Sequence, residues 1–403
     1  MSPCKVILVL EQCSSGFATG DGGRQTDENK AKGTCMTIKH IRPEVLAMPD
    51  PVAAFSAVEA VAARQGLPPE HIIKLDANEN PYGPSPKVQA AMAAGQAWHL
   101  YPDITHQALN RALAAYAGVS PEQVVATSGC DELIAMLAQL LIGPGDEAID
   151  NAPTFAIYSL VVHVQGGHMV VVPRLREQHY ALDTPAILRA LSERTRLIFV
   201  CNPNNPTGGL TPQRDIEALL ETGIVVAVDE TYHEFAGVTM APLLQRYENL
   251  VVMRSMSKWS GLAGLRVGYG LFHPDLARQM RKLRMPFNVN LAGYVAALAS
   301  LDDVAYLHAN VAKMIAERER LLQLLQGIPF LHCYPSHANF VLCDVTGVPA
   351  GRLRDEMEKE GVLVRVYQSM YLPNAIRISV GKPQHTEAAI AALHTAGQRL
   401  KLL

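Results

Sequence analysis

Between Val124 and Met253, short β-branched runs alternate with segments of helical period, and this alternation restricts the fold of the 403-residue chain more than any other feature. The runs are Val124–Ala126, Glu147–Asn151, His168–Val172, Leu197–Cys201, Val225–Val228 and Leu250–Met253. Helical patterns occupy Lys87–Ala94, Thr105–Ala117, Asp131–Leu141, Phe155–Val164 and Thr184–Leu191. Strands separated by helices of this length build βαβ units, and so a mostly parallel sheet covered on both faces. A long helical pattern from Tyr294 to about Gln326 comes next. Apolar runs at Phe340–Cys343, Val362–Val366 and Ala375–Ser379 and a terminal helix from Thr386 complete the chain. The expectation is an α/β protein, with a large unit at 76–300 around a mostly parallel central sheet and a smaller α+β unit at 301–403. Residues 36–75 are expected to pack with the smaller unit. Residues 1–35, Gly-rich and holding three of the seven cysteines, read as a disordered leader or an overlong start.

Composition narrows the function. With 18% charged residues and a net charge of −3, there is no electrostatic case for nucleic acid or an anionic membrane as partner. No apolar run approaches the roughly 18 residues that span a bilayer. The scattered cysteines form no C-x-x-C pair, and the histidines no H-E-x-x-H, so no metal is expected. A reduced, cytoplasmic protein is the expectation.

Open α/β sheets bind ligands at the carboxyl ends of their strands, so the polar residues just past each run carry the chemistry. After Leu250–Met253 comes Ser255-Met-Ser-Lys258-Trp-Ser-Gly-Leu-Ala-Gly-Leu-Arg266. A lone lysine among small residues can be partly desolvated, which frees its amine for a Schiff base. Ser255, Ser257 and Arg266 supply the hydrogen bonds and bidentate cation that a phosphate needs. An aldehyde-binding lysine beside a phosphate cradle suggests pyridoxal 5′-phosphate.

Three further strand ends fit that cofactor. Thr127-Ser-Gly129-Cys130-Asp131 opens a helix, where free backbone N–H groups attract anions; a plain helix start with Asp131 favouring the dipole is the competing reading. Asn202 heads the Asn-Pro-Asn-Asn-Pro-Thr-Gly-Gly loop and can donate to a phenolate oxygen. Asp229, at the end of a buried strand, is costly unless paired. A pyridinium N–H would pair it and keep the ring an electron sink, and Tyr232 can reach the same phenolate oxygen as Asn202. Phe155 can stack on the ring, although core packing explains a lone Phe equally well. Neither G-x-G-x-x-G nor a P-loop occurs.

With Asp76-Ala-Asn-Glu-Asn-Pro-Tyr-Gly-Pro-Ser-Pro, Tyr101-Pro-Asp, Met285-Pro-Phe-Asn-Val-Asn and Ile376-Arg-Ile-Ser-Val-Gly added, the chain resembles the fold-type-I pyridoxal-phosphate aminotransferases from about Ile41 to Leu393. Within them it is most similar to the histidinol-phosphate aminotransferase family. The resemblance implies that Lys258 bonds the cofactor aldehyde and shuttles the substrate proton, and that Asp229 pairs with the ring nitrogen. Asn202 and Tyr232 would hold the 3-oxygen. Gly129, Cys130, Asp131, Ser255, Ser257 and Arg266 would surround the phosphate, with Phe155 against the ring. It further implies that Tyr101 reaches the cofactor phosphate of a second subunit in a homodimer, and that Arg377 and Asn78 contact substrate. Histidinol phosphate with 2-oxoglutarate and glutamate is the expected substrate set; aromatic amino-acid transamination and threonine-phosphate decarboxylation are the rivals. A transcription regulator built on such a unit would need a basic domain ahead of it, and residues 1–35 are neither long nor basic enough. One departure is notable. Family members carry a Pro-Tyr near the N-terminus, where Pro49-Asp-Pro-Val52 stands here.

Overall fold

The computed structural model describes residues 40–46, 48, 57–95 and 97–403; the expectations about 1–35 and Val52 lie outside them. The strands are β1 (Ile73–Leu75), β2 (Val124–Thr127), β3 (Glu147–Asp150), β4 (His168–Val171), β5 (Thr195–Cys201) and β6 (Val225–Asp229). They continue with β7 (Leu250–Ser255), β8 (Gly268–Phe272), β9 (Leu331–Cys333), β10 (Phe340–Val345), β11 (Val362–Tyr367) and β12 (Ala375–Ser379).

Seven of them form a sheet in the order β2-β8-β7-β6-β5-β3-β4. The pairs β3/β4, β3/β5, β5/β6 and β6/β7 are parallel. The β-branched runs of β5, β6 and β7 are almost wholly buried, as expected for parallel strands with helices on both faces. Because these strands run the same way, the residues that follow β5, β6 and β7 emerge along one edge. Asn202, Glu230 and Met256 each directly follow a strand there.

The sequence pattern misses β8, which pairs antiparallel with both β2 and β7. Its Val267-Gly-Tyr-Gly-Leu-Phe sequence is too rich in glycine to read as a strand, and packing explains the glycines. A Cβ on Gly268 would stand 2.5 Å from the backbone of Gly129 and Cys130, so the residue must be glycine for the strand to lie against that turn.

The second sheet has the order β1-β11-β12-β10-β9. β1, far ahead in the chain, joins it by parallel pairing with β11. It occupies the start of the stretch that the proline and glycine content of 74–86 predicts to be a loop throughout. The single helix expected from Tyr294 to about Gln326 is two, Leu291–Leu301 and Val304–Gln326. The break falls at Asp302 and Asp303, whose carboxylates are drawn to Lys87 and to the Ser85 hydroxyl. Aspartate favours such local bonding over a helix interior.

Candidate active site

The five residues Asp76–Asn80 run from the end of β1 across the carboxyl edge of the large sheet, and the candidate site is built around them. The Asp76 carbonyl accepts from Arg377 Nη2 at 2.6 Å. The Ala77 carbonyl accepts from Lys258 Nζ at 2.8 Å. Asn78 donates through Nδ2 to the Tyr232 hydroxyl at 3.0 Å. Its backbone N–H donates to Ser379 Oγ at 2.9 Å, while its carbonyl accepts from Asn339. Asn78 has φ 55, a left-handed conformation that asparagine tolerates better than most residues. Asn80 Nδ2 closes the loop onto the Trp259 carbonyl, next in sequence to Lys258.

Lys258 follows β7 by three residues. Burial, then the nearby Arg377, push its pKa down from 10.5 to about 8, so a substantial fraction of the amine is neutral near physiological pH. Asp229, the last residue of β6, is 4% exposed. Burial raises its pKa, opposed by hydrogen bonds from Thr231 and Tyr158. Tyr158 donates to Oδ2 at 2.7 Å and the Thr231 N–H to Oδ1 at 3.0 Å. The carboxylate is therefore held by two neutral donors and, among the described residues, makes no ion pair, the setting in which a cationic N–H would be its strongest partner.

The phosphate-side residues also converge. Arg266, with φ 54, sends Nη2 to Asp131 Oδ2 at 2.9 Å. Gly129 has φ +79, and a Cβ there would stand 2.6 Å from Arg266 Nη2. The missing side chain thus keeps a cradle open between the helix start at Gly129 and the guanidinium. Ser255 and Ser257 are buried in the β7 turn, with Ser257 N–H on Ser255 Oγ at 3.1 Å. Among the sequence candidates, Asn202 is buried with its amide on Thr211, through a Thr211 N–H to Oδ1 bond of 2.8 Å. Phe155 meets Tyr158 edge-on, 5.7 Å between centroids. Tyr101 is brought to none of these residues. It is 78% exposed and stacks on Phe287.

Sequence reasoning passed over Arg365. It stands opposite Arg377 where β11 pairs with β12, so both side chains leave the same face of the sheet. Arg377 also donates through Nη1 to Asn205 at 2.6 Å, and its Nε is buried without a partner. A signal was available in Val362-Leu-Val-Arg-Val-Tyr: an arginine interrupting an apolar strand. Tyr158, three residues past Phe155, was likewise missed.

A desolvated lysine at a strand end, a buried acid one strand away and a glycine-opened anion cradle, on this sheet order, define the fold-type-I transferases. The chain belongs to the aminotransferase class I and II family, whose sequence model matches residues 70–393. Histidinol-phosphate aminotransferase of Roseiflexus castenholzii is 42% identical over 362 residues, covering 88% of this chain and 97% of that one. The chloroplastic histidinol-phosphate aminotransferase of Nicotiana plumbaginifolia is 40% identical over 370 residues, covering 91% and 89%. Among solved structures, histidinol-phosphate aminotransferase from Sinorhizobium meliloti in complex with pyridoxal-5′-phosphate superposes with a TM-score of 0.81 at 28% identity, covering 91% of this chain and all of that one. The residues present fit that cofactor. Lys258 suits its aldehyde, Asp229 its ring nitrogen, and the Gly129–Arg266 cradle its phosphate.

Proposed function

We propose that this protein transfers the amino group of histidinol phosphate to 2-oxoglutarate, a step in histidine synthesis, using pyridoxal 5′-phosphate. The observation that carries the reading is the Asp76–Ala77 backbone, whose adjacent carbonyls receive Arg377 and Lys258. A guanidinium suited to an anion and an amine of lowered pKa are thus held side by side. The 40–42% identical relatives, named for this substrate, support the choice of anion.

Bound pyridoxal phosphate supplies a cationic ring that takes up the electron pair left when the substrate amine carbon loses a proton. The chain's residues do the rest. Lys258, once neutral, would accept that proton and return it across the nitrogen, at the carbon that comes from the cofactor aldehyde. The Ala77 carbonyl holds Nζ meanwhile. Asp229 is placed to keep the ring nitrogen protonated. Asn78 donates to the Tyr232 oxygen, which leaves the Tyr232 proton to be given to the cofactor's 3-oxygen beside Asn202. Arg266, Ser255, Ser257 and the backbone at Gly129 and Cys130 would hold the phosphate, with Asp131 orienting Arg266. Phe155 would flank the ring. Arg377 serves the substrate phosphate in one half-reaction and a carboxylate in the other, since a guanidinium fork fits both.

The same reading includes a homodimer. Trp98, Leu100, Tyr101, Ile104 and Met285 are exposed close together in the chain or through the stack of Tyr101 on Phe287, an apolar surface of the kind a second copy covers. Tyr101 would then reach the partner's cofactor phosphate. The test is turnover with 2-oxoglutarate and each of histidinol phosphate, phenylalanine and threonine phosphate. Glutamate formed chiefly from histidinol phosphate is expected. Preference for phenylalanine, or carbon dioxide released from threonine phosphate, would overturn it.

A further inference from the structure

Outside the site just described, two thiols face each other in the smaller sheet. Cys333 ends β9 and Cys343 lies in β10, and the two are directly opposed in the antiparallel register. The next pair along, Tyr334 and Leu342, is bridged by a Tyr334 N–H to Leu342 carbonyl bond of 2.9 Å. Hydrogen-bonded and non-hydrogen-bonded pairs alternate along such a ladder, so Cys333 and Cys343 occupy the latter kind. There the backbones approach to about 4.5 Å between Cα atoms, within the roughly 4.4–6.8 Å that a disulfide spans. Both side chains point to the same face, and their sulfurs are 2.7 Å apart as free thiols.

The two differ in access. Cys343 is wholly buried, while Cys333 is partly open to solvent. Of the other described cysteines, Cys201 points its thiol at the Pro203 carbonyl. Two small apolar side chains in a core would explain one buried cysteine. They leave unexplained the choice of cysteine at both members of a close pair that joins the edge strand β9 to β10.

We propose that Cys333 and Cys343 form a reversible disulfide site, closed by exchange with a low-molecular-weight disulfide such as oxidised glutathione. The exposed Cys333 thiolate attacks one glutathione sulfur, breaking its disulfide and releasing one glutathione. Cys343 then attacks the Cys333 sulfur, its proton passing to the second glutathione as that leaves. Two protein thiols are oxidised and one disulfide is reduced to two thiols. Burial and the neighbouring sulfur raise the Cys343 pKa, so the first attack falls to Cys333 and the second needs no diffusion. The bond would staple the edge strand β9 to β10, whose other neighbour, β12, carries Arg377 opposite Leu342.

The experiment uses the full chain with pyridoxal phosphate bound, incubated with oxidised glutathione, alkylated and digested with trypsin. The peptide 321–352 contains these two cysteines and no others. It is expected two hydrogens lighter than its dithiol form, unalkylated, and restored to two alkylations by dithiothreitol. Cys343→Ser should retain glutathione on Cys333, and Cys333→Ser should leave Cys343 alkylated and free of glutathione. Overturning results are two alkylations in the oxidised wild type, or a glutathione adduct that persists on Cys333 while Cys343 is intact. Visible absorbance of the bound cofactor, recorded before digestion, shows that the chain stayed folded in each variant.

Discussion

The carboxyl edge of the large sheet and the facing part of the smaller sheet both send groups to the Asp76–Ala77 backbone, but they are built differently. On the large-sheet side each functional group comes just past its own strand: Gly129 after β2, Asn202 after β5, Asp229 at the end of β6 and Lys258 after β7. Parallel strands with buried, β-branched interiors fix these positions separately. On the other side the proposed substrate contact depends on lateral pairing. Arg377 lies on β12 beside β11, and Asp76 reaches it because β1 crosses over to join that sheet. The first arrangement concentrates chemistry in local motifs. The second leaves it to long-range register. One side should therefore govern reactivity and the other recognition.

Substitutions break or sharpen that division. The largest effect belongs to Lys258→Ala, which should lose turnover by several orders of magnitude along with the visible absorbance of the lysine-bound cofactor. A spectrum like the wild type's would remove the basis of the large-sheet assignment. Asp229→Asn should still bind cofactor yet turn over about 10²–10³-fold more slowly, on the scale of losing one preorganised electrostatic contact. A near-normal kcat would mean that the ring nitrogen has another partner.

Arg377→Met tests the recognition side. Losing hydrogen bonds to a charged group costs about 1.5–3 kcal/mol. The KM for histidinol phosphate and for 2-oxoglutarate should both rise about 10–100-fold, with the cofactor still bound through Lys258. Loss of the lysine-bound absorbance, or an effect on one substrate alone, would erase the proposed separation. The smallest effect is expected from Gly129→Ala. A left-handed φ costs a residue with a Cβ about 1–2 kcal/mol, and that Cβ would crowd Arg266. Cofactor affinity, measured by titration against visible absorbance, should fall about tenfold or more. Unchanged affinity would place the phosphate away from this cradle.

The same contrast explains what the sequence discloses. Strands β5 to β7 and the residues after them are legible because burial imposes an apolar, largely β-branched run and the following loop carries the polar group. β8 is illegible because Gly268 answers to the Gly129–Cys130 backbone, which is distant in sequence. The break at Asp302–Asp303 is hidden for a similar reason, as its partners Ser85 and Lys87 precede it by more than 200 residues. Within the site, Lys258 and Asp229 stand out through their strands, whereas Arg365 acquires meaning only opposite Arg377. The motif around Asn78 was visible as a punctuated loop. That one asparagine holds Tyr232 and Ser379 together emerges only when the two sheets face each other.

Reductive trapping tests the central claim most directly. The protein loaded with pyridoxal phosphate is treated with borohydride, digested, and its peptides weighed. The account predicts one pyridoxyl group, on Lys258, and its loss when histidinol phosphate is added before the reductant. A pyridoxyl group on any other lysine, or none at all, would contradict it.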